Sequence, residues 1–401
     1  MYYKYEMFMK KLILFLCFMF LPFAANADEI TENIDGIWYR IDIESLEAEV
    51  YHSLDGDPYY KGEIVIPETI EYKGITCRVT KIGEQAFLQC VKLTAVTIPN
   101  SVTTIEESAF SGCLKLASIN LGEGLTSIGR WAFRYCTSLV SISLPTSVTT
   151  IGDEAFDLSG LESLTIPDGV TVIGNHVFYD CTSLKSVTIG NGLTEIGISA
   201  FQGCTSLNSL TFGTGLKTIG ESAFQNCSSL TTLSIPSNVS TIGPAAFFGC
   251  ESLMSVNIGD GVTEIGGSAF ANCNTLQSIV LGSKLTNIET LAFYHCTKLT
   301  DVYCYAETVP STMSDTFLSA WIIYATLHVQ ASMIELYMAT DTWNLFKEIV
   351  PLTESDPTPT AINAVKNEPA DNNTIYDLTG RRHAQPGKGI IIRNGKKVVV
   401  K

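Results

Sequence analysis

Nine cysteines could carry chemistry, because each lies three residues after a phenylalanine in a recurring segment such as AFQNCSSL (223–230). Thiols at a regular spacing can ligate zinc, act as nucleophiles, form disulfides or fill a core. The nine are Cys90, Cys113, Cys136, Cys181, Cys204, Cys227, Cys250, Cys273 and Cys296.

The spacing of these thiols argues against a metal site and against disulfides. Zinc sites use paired Cys, or Cys with His, whereas each repeat here supplies one thiol. Equivalent residues of stacked coils hold their Cβ atoms about 4.8 Å apart in parallel, where a disulfide requires roughly 3.5 to 4.5 Å. The number of thiols is odd, and Ser159 replaces one of them. We therefore expect small core side chains beside the phenylalanines.

Glycine-rich segments and histidines add no further chemistry. GEGLTSIG, GNGLTEIG, GTGLKTIG and GDGVTEIG contain G-x-G-x4-G, but this spacing differs from a dinucleotide fingerprint and no Walker Lys-Ser/Thr follows. Other repeats place Pro99, Pro145, Pro167 or Pro236 at the first glycine, which indicates a turn, and the five histidines share no repeat position. The sequence therefore predicts no catalytic residue, no metal site and no cofactor.

Ten phenylalanines mark a repeat that must position these residues. Their spacing is 23 residues, except for one interval of 22 between Phe156 and Phe178. They are Phe87, Phe110, Phe133, Phe156, Phe178, Phe201, Phe224, Phe247, Phe270 and Phe293, and alanine precedes nine of them. A 23-residue unit buries too little apolar surface to offset its conformational entropy, so the units must stack.

The apolar pattern within a unit predicts two short strands and a turn. Residues 184–189 alternate and end at a turn residue, LTEIG (193–197) is a second extended piece, and ESAFQNC (221–227) suits a single helical or 3₁₀ turn. Stacking gives a right-handed parallel solenoid of about ten to eleven coils, roughly 50 Å long, with a continuous sheet on one side.

The unit A-F-x-x-C-x-x-L-x-x-V-x-I-P-x-x-V-T-x-I-G resembles the BspA-like class of leucine-rich repeats over about residues 80–352. The resemblance implies a leucine-rich-repeat solenoid. Members of this class are surface and secreted proteins of anaerobic Gram-negative bacteria and of some mucosal parasites. The class is associated with adhesion to extracellular matrix proteins and with aggregation of cells.

The flanking segments predict export. Residues 1–27 contain three lysines, an apolar run and Ala25-Asn26-Ala27, as in a cleaved secretory signal peptide. The alternative, a membrane anchor, needs about 20 apolar residues where this run has about 14. Cleavage removes three lysines and one glutamate and changes the net charge from −16 to −18, which argues against nucleic acid or anionic lipid as a partner.

The other flanks divide the remaining chain. We predict a β-rich N-terminal cap over 28–79, a solenoid with its C-terminal cap over 80–352 including a short helix around 331–339, and a polar linker over 353–374. Residues 375–401, with seven Lys or Arg and one acid, predict two or three strands. This tail resembles the endings of exported proteins in the same bacteria, some of which are type IX secretion signals. A small β module of another purpose is the alternative.

One row of the main sheet is a candidate ligand-binding face. It carries short hydroxyl and amide side chains with hardly any charge, namely Thr97, Asn120, Ser143, Thr165, Thr188, Thr211, Ser234 and Asn257. Two interpretations stay open, a solvated sheet face and a surface for a protein or glycan ligand.

The sequence thus predicts a non-enzymatic exported protein that binds host or microbial surfaces. A structural scaffold or spacer in a cell-envelope assembly is the alternative. A glycan-active enzyme would require a carboxylate pair about 5 to 10 Å apart in a cleft, and the scattered acidic residues suggest none.

Overall fold

The computed structural model describes residues 30–52 and 60–359, together with the backbone of four strands between residues 375 and 400. The predicted signal peptide and residues 360–374 of the predicted linker lie outside the described residues.

Most of the described chain winds into coils that stack through two rows of short parallel strands, here called the broad and the narrow sheet. The broad sheet pairs in groups of three, three and six strands, with breaks between Asn120 and Ser163 and between Thr211 and Thr232, so the predicted continuous sheet is interrupted. An isolated bridge from Ser141 to Ser163 spans the first break. The broad sheet consists of Lys61–Val65, Lys92–Thr97, Ser118–Asn120, Ser163–Ile166, Ser186–Ile189, Ser209–Thr211, Thr232–Ile235, Ser255–Ile258, Ser278–Leu281, Asp301–Cys304, Thr326–Val329 and Glu348–Pro351. The narrow sheet consists of Ile75–Ile82, Thr104–Ile105, Ser127–Ile128, Thr150–Ile151, Val172–Ile173, Glu195–Ile196, Thr218–Ile219, Thr241–Ile242, Glu264–Ile265, Asn287–Ile288 and Ser311–Thr312. The described residues form about 12 coils, close to the predicted ten to eleven.

Each broad-sheet strand divides its side chains between the core and the surface. In Ser186–Ile189, Val187 and Ile189 are buried while Thr188 is exposed. Equivalent residues of successive coils pair, for example Val187 with Leu210. The period of two therefore gives one buried and one outward row per sheet.

The segment that leads from a narrow-sheet strand to the next broad-sheet strand is here called the turn arm; in the coil of Phe224 it is residues 220–231. It is not the helical or 3₁₀ turn that the sequence predicts. In the coil of Phe224 the N–H groups of Ser222, Phe224 and Asn226 donate to carbonyls of the next coil at 2.7 to 2.9 Å. The intervening N–H groups bond three residues back within the coil. Ser222 and Asn226 have φ of 54° and 59°. In a helical or 3₁₀ turn every N–H bonds to a carbonyl three or four residues back in the same segment. Because alternate N–H groups here bond to the next coil, the turn arm is not such a turn.

Strands cover the first coil, within the range predicted for the N-terminal cap. Ile30–Ile34, Ile37–Asp42 and Glu47–Val50 form an antiparallel meander, and Thr69–Tyr72 pairs antiparallel with Ile75–Ile82. The ring of Tyr60 lies 4.6 Å from that of Phe87, and its hydroxyl accepts the Trp38 N–H at 2.9 Å. The cap thus closes the exposed end of the phenylalanine row.

The C-terminal end is closed by short helices and a tryptophan. The helices are 3₁₀ at Ile322–Tyr324, Ala331–Met333 and Trp343–Leu345 and α at Ile334–Met338, the last lying where a helix was predicted. Trp343 is buried, packs on Phe317 at 5.7 Å and donates its indole N–H to the Pro310 carbonyl at 2.9 Å.

The tail contains four antiparallel strands, at Ile375–Asp377, Arg382–His383, Gly389–Arg393 and Lys396–Val400. The sequence predicts two or three strands here. Within the described part of the chain, no helix has the length and apolar character needed to cross a membrane.

Candidate functional site

The thiols form a buried row that is bonded from coil to coil. All cysteines among the described residues are buried and free of disulfides. Eight of them donate to the carbonyl of the phenylalanine one coil earlier, with Sγ–O distances of 3.0 to 3.4 Å. For example, the Phe201 carbonyl accepts the Cys204 N–H at 3.2 Å and the Cys227 thiol at 3.3 Å. Cysteine therefore supplies a donor that alanine would lack.

Burial also removes the reactivity of these thiols. Desolvation raises the pKa of Cys136, Cys181, Cys250 and Cys296 to about 12, and that of Cys90 to about 11. The thiolate is the nucleophile and the metal ligand. The protonated, covered thiols are thus placed for packing.

The phenylalanines beside them stack face to face through the whole array. Neighbouring rings have centroids 4.9 to 5.6 Å apart and planes within 15°. Every predicted residue of the phenylalanine–cysteine ladder is buried. The two rows together form the core of the turn arm.

Glycines of the G-x-G-x4-G segments lie where successive coils touch. A Cβ on Gly220 would lie 2.7 Å from the Ile196 carbonyl oxygen, and one on Gly266 would lie 2.6 Å from the Pro244 nitrogen. Real Cβ atoms do not approach backbone so closely. Close stacking, not phosphate binding, explains these glycines.

Residues of the predicted face lie in one outward row of the broad sheet. Asn120, Ser143, Thr165, Thr188 and Thr211 are exposed, and Thr97, Ser234 and Asn257 are half-buried. Where neighbouring strands pair, their register places these residues side by side, as in Thr165–Thr188–Thr211 and Ser234–Asn257. Rungs about 4.8 Å apart thus present repeated hydroxyl and amide groups in a line.

The row changes character towards its C-terminal end, where it continues as Val280, Tyr303 and His328. Residues 353–359, here called the strap, lie over this part. They belong to the predicted linker, but they contact the sheet.

A cluster on the turn arm, here called the aromatic–arginine patch, was not predicted from the sequence. Arg130 lies over the Trp131 ring at 3.7 Å and Arg134 over the Tyr135 ring at 4.8 Å. An Arg130 guanidinium nitrogen is 3.0 Å from a Glu154 carboxylate oxygen. Other repeats have mostly small or neutral residues at these positions, so the signal was their replacement by Trp, Arg and Tyr, the types most common at binding hot spots.

The patch adjoins the gap in the thiol row. The Ser159 hydroxyl lies 3.2 Å from the Cys181 sulfur. Nearby Asp157 is 3 % exposed and accepts the Arg134 Nε–H at 2.7 Å. Burial raises the pKa of Asp157 and the arginine offsets part of that rise.

Metal-ligand geometry is absent from the described residues, where no three His, Cys, Asp or Glu side chains are grouped to hold an ion. His328 contacts two acidic side chains, with Nε2 3.1 Å from Asp301 and Nδ1 4.0 Å from Asp356.

Comparison with known proteins identifies the repeat. The family model described as a BspA type leucine rich repeat region matches residues 68–185 and 171–300 in six copies. No curated protein matches the chain.

Solved structures are also similar. A leucine-rich repeat protein from Bacteroides ovatus is 25 % identical, covering 79 % of this chain and 98 % of that one, with a TM-score of 0.38. The T. pallidum leucine-rich repeat protein is 29 % identical over 52 % of this chain and 91 % of that one, with a TM-score of 0.43. A leucine-rich cell surface protein from Faecalibacterium prausnitzii is 22 % identical over 82 % and 97 %, with a TM-score of 0.44.

Proposed function

Because the chain belongs to the BspA-type leucine-rich repeat family, we propose that it is an exported, non-enzymatic protein that binds a protein or glycan on a host or microbial surface. The outward row of the broad sheet is the proposed site. The observation that carries the proposal is the line of exposed hydroxyl groups at Thr165, Thr188 and Thr211, which parallel pairing holds in register.

This row has the properties of a recognition surface. It is regular, because parallel pairing fixes one side chain per rung. It is uncharged, so it opposes neither acidic nor basic partners. Hydroxyl and amide groups both donate and accept hydrogen bonds, which suits sugar hydroxyls and peptide groups. Solenoids commonly bind partners through such extended sheets.

The absence of activated groups in the described core supports a binding role over catalysis. The thiols are protonated and covered, and the acidic Asp157 is paired with Arg134.

A binding screen tests the proposal. The chain without residues 1–27 is applied to arrayed matrix proteins and glycans, beside a variant carrying Thr165→Val, Thr188→Val and Thr211→Val. Valine keeps the shape and strand preference of threonine but removes the hydroxyl. Thr182→Val with Thr205→Val, two exposed residues outside the row, is the matched control.

We expect the triple variant to bind at least tenfold more weakly and the control to bind as the wild type does. Failure of the wild-type chain to bind any arrayed ligand would remove the support for adhesion. Binding that survives in the triple variant would move the site away from this row, and Trp131→Ala would then test the aromatic–arginine patch.

A further inference from the structure

The C-terminal part of the outward row is covered by the chain's own strap, residues 353–359. The amide of Asn257 donates to the Thr358 carbonyl at 2.9 Å, across 101 residues of sequence. At the other end the Leu352 N–H donates to the Val329 carbonyl at 2.8 Å. The strap therefore runs from the last coils back towards the middle of the sheet.

Exposure of two equivalent valines shows what the strap covers. Val65 and Val280 both occupy the outward row. Val65 is 70 % exposed, whereas Val280 is 5 % exposed. Val65 belongs to the first strand of the row and has one neighbouring strand, whereas Val280 lies between Asn257 and Tyr303. The strap contacts the row on both sides of Val280, at Asn257 and at His328, so Val280 is buried within the part of the row that the strap spans.

An acidic side chain of the strap lies beside the sheet. The Asp356 side chain is 13 % exposed and its Oδ2 lies 4.0 Å from His328 Nδ1. Asp356 also accepts the Thr353 N–H at 2.7 Å, which fixes the start of the strap. The His328 ring stacks on the Tyr303 ring at 4.3 Å, so this part of the outward row presents two stacked rings beside Asp356.

The strap begins with a turn and continues through two prolines. The Asp356 N–H donates to the Thr353 carbonyl at 3.2 Å, which closes residues 353–356 into a turn. Beyond the turn, Pro357 and Pro359 restrict the chain to extended conformations on both sides of Thr358. The strap therefore presents the Thr358 carbonyl and the Asp356 carboxylate to the sheet on a short, restricted backbone.

We propose that Asn257, Val280, Tyr303 and His328 form a docking surface for acidic, proline-containing peptides that carry a turn of this kind, which the strap occupies in cis. A partner segment of this chemistry binds in exchange for the strap. The inference rests on the proposed binding face and names a ligand class for one part of it. The two fail separately, because glycan or matrix binding at Thr165–Thr211 does not require peptide exchange here.

Methyl NMR of the chain without residues 1–27 tests the proposal. In one variant, residues 353–359 are replaced by seven alternating Gly and Ser residues. Its Val280 methyl resonances should move relative to wild type, while those of Val65 should not. A blocked peptide LTESDPTPT (352–360) should restore the Val280 resonances in the variant. The peptide should bind the wild-type chain at least tenfold more weakly than it binds the variant, because the tethered strap competes at millimolar effective concentration.

Three controls make the result decisive. A scrambled peptide, and the peptide with Asp356→Asn, should bind more weakly. His328→Ala in the strap-replaced variant should weaken peptide binding. Identical Val280 resonances in wild type and variant would show that the strap is not docked. Shifted resonances that several millimolar peptide leaves unchanged would show that the surface does not accept the segment in trans. Either result overturns the proposal.

Discussion

Native protein lacking residues 1–27, treated with iodoacetamide at pH 8, is expected to keep all its cysteines unmodified. Without Cys17 the chain retains the eleven thiols that the structure places in the core. Raising a thiol pKa from 9.0 to about 12 lowers its thiolate fraction at pH 8 about 900-fold. Opening the core costs at least about 5 kcal/mol in a stable domain, which lowers access by a further factor of several thousand.

Intact-mass spectrometry measures the outcome. We expect no additions in buffer and eleven in guanidinium without reductant. Thr188→Cys, at an exposed position, is the matched control and should gain one addition within minutes in the native state. Rapid modification of the native wild-type chain would refute a buried thiol row. Fewer than eleven additions in guanidinium would refute the free-thiol assignment, because a disulfide withholds two groups.

Three further predictions concern stability. Thiols whose folded pKa is raised to about 12 stay neutral in the folded chain but ionise above pH 9 when unfolded. Their contribution is therefore fully present below pH 9 and is lost as pH rises towards 12, by about 1.4 kcal/mol per pH unit for each thiol; a flat denaturation midpoint from pH 9 to 10.5 would contradict this. Gly266→Ala should cost about 1 to 3 kcal/mol because its Cβ would meet backbone at 2.6 Å, whereas Gly267→Ala, with nothing closer than 3.4 Å, should cost under about 0.5 kcal/mol; equal urea midpoints would be inconsistent with the stacking. Arg134→Ala should cost about 3 kcal/mol by leaving the Asp157 carboxylate unpaired, and adding Asp157→Asn should recover part of it; a double variant less stable than Arg134→Ala would argue against this cause.

The regular part of the fold could be predicted because the sequence repeats its core. Phe201 and Phe224, and Cys204 and Cys227, recur at one spacing. A constant spacing of apolar residues has one efficient solution, which is to stack them. The parallel register of the two sheets follows from the same offset.

The turn arm could not be predicted in the same way. Residues 221–227 have the apolar spacing of a helical turn, but Ser222 and Asn226 adopt left-handed φ. Their N–H groups bond to the next coil, a partner absent from any single repeat. Local spacing predicts a local hydrogen bond, and the neighbouring coil supplies a competing one.

By itself, the sequence determined that the chain is a stack of equivalent coils with a Phe and Cys row inside and a row of small polar residues outside. Only the tertiary structure decided which carbonyl each thiol bonds, which charges meet around Trp131, and which part of the outward row the strap covers. Periodicity specifies what every coil shares. The contacts of Ser159 with Cys181 and of Asn257 with Thr358 involve residues that the coils do not share, so they depend on which side chains come together after the coils have stacked.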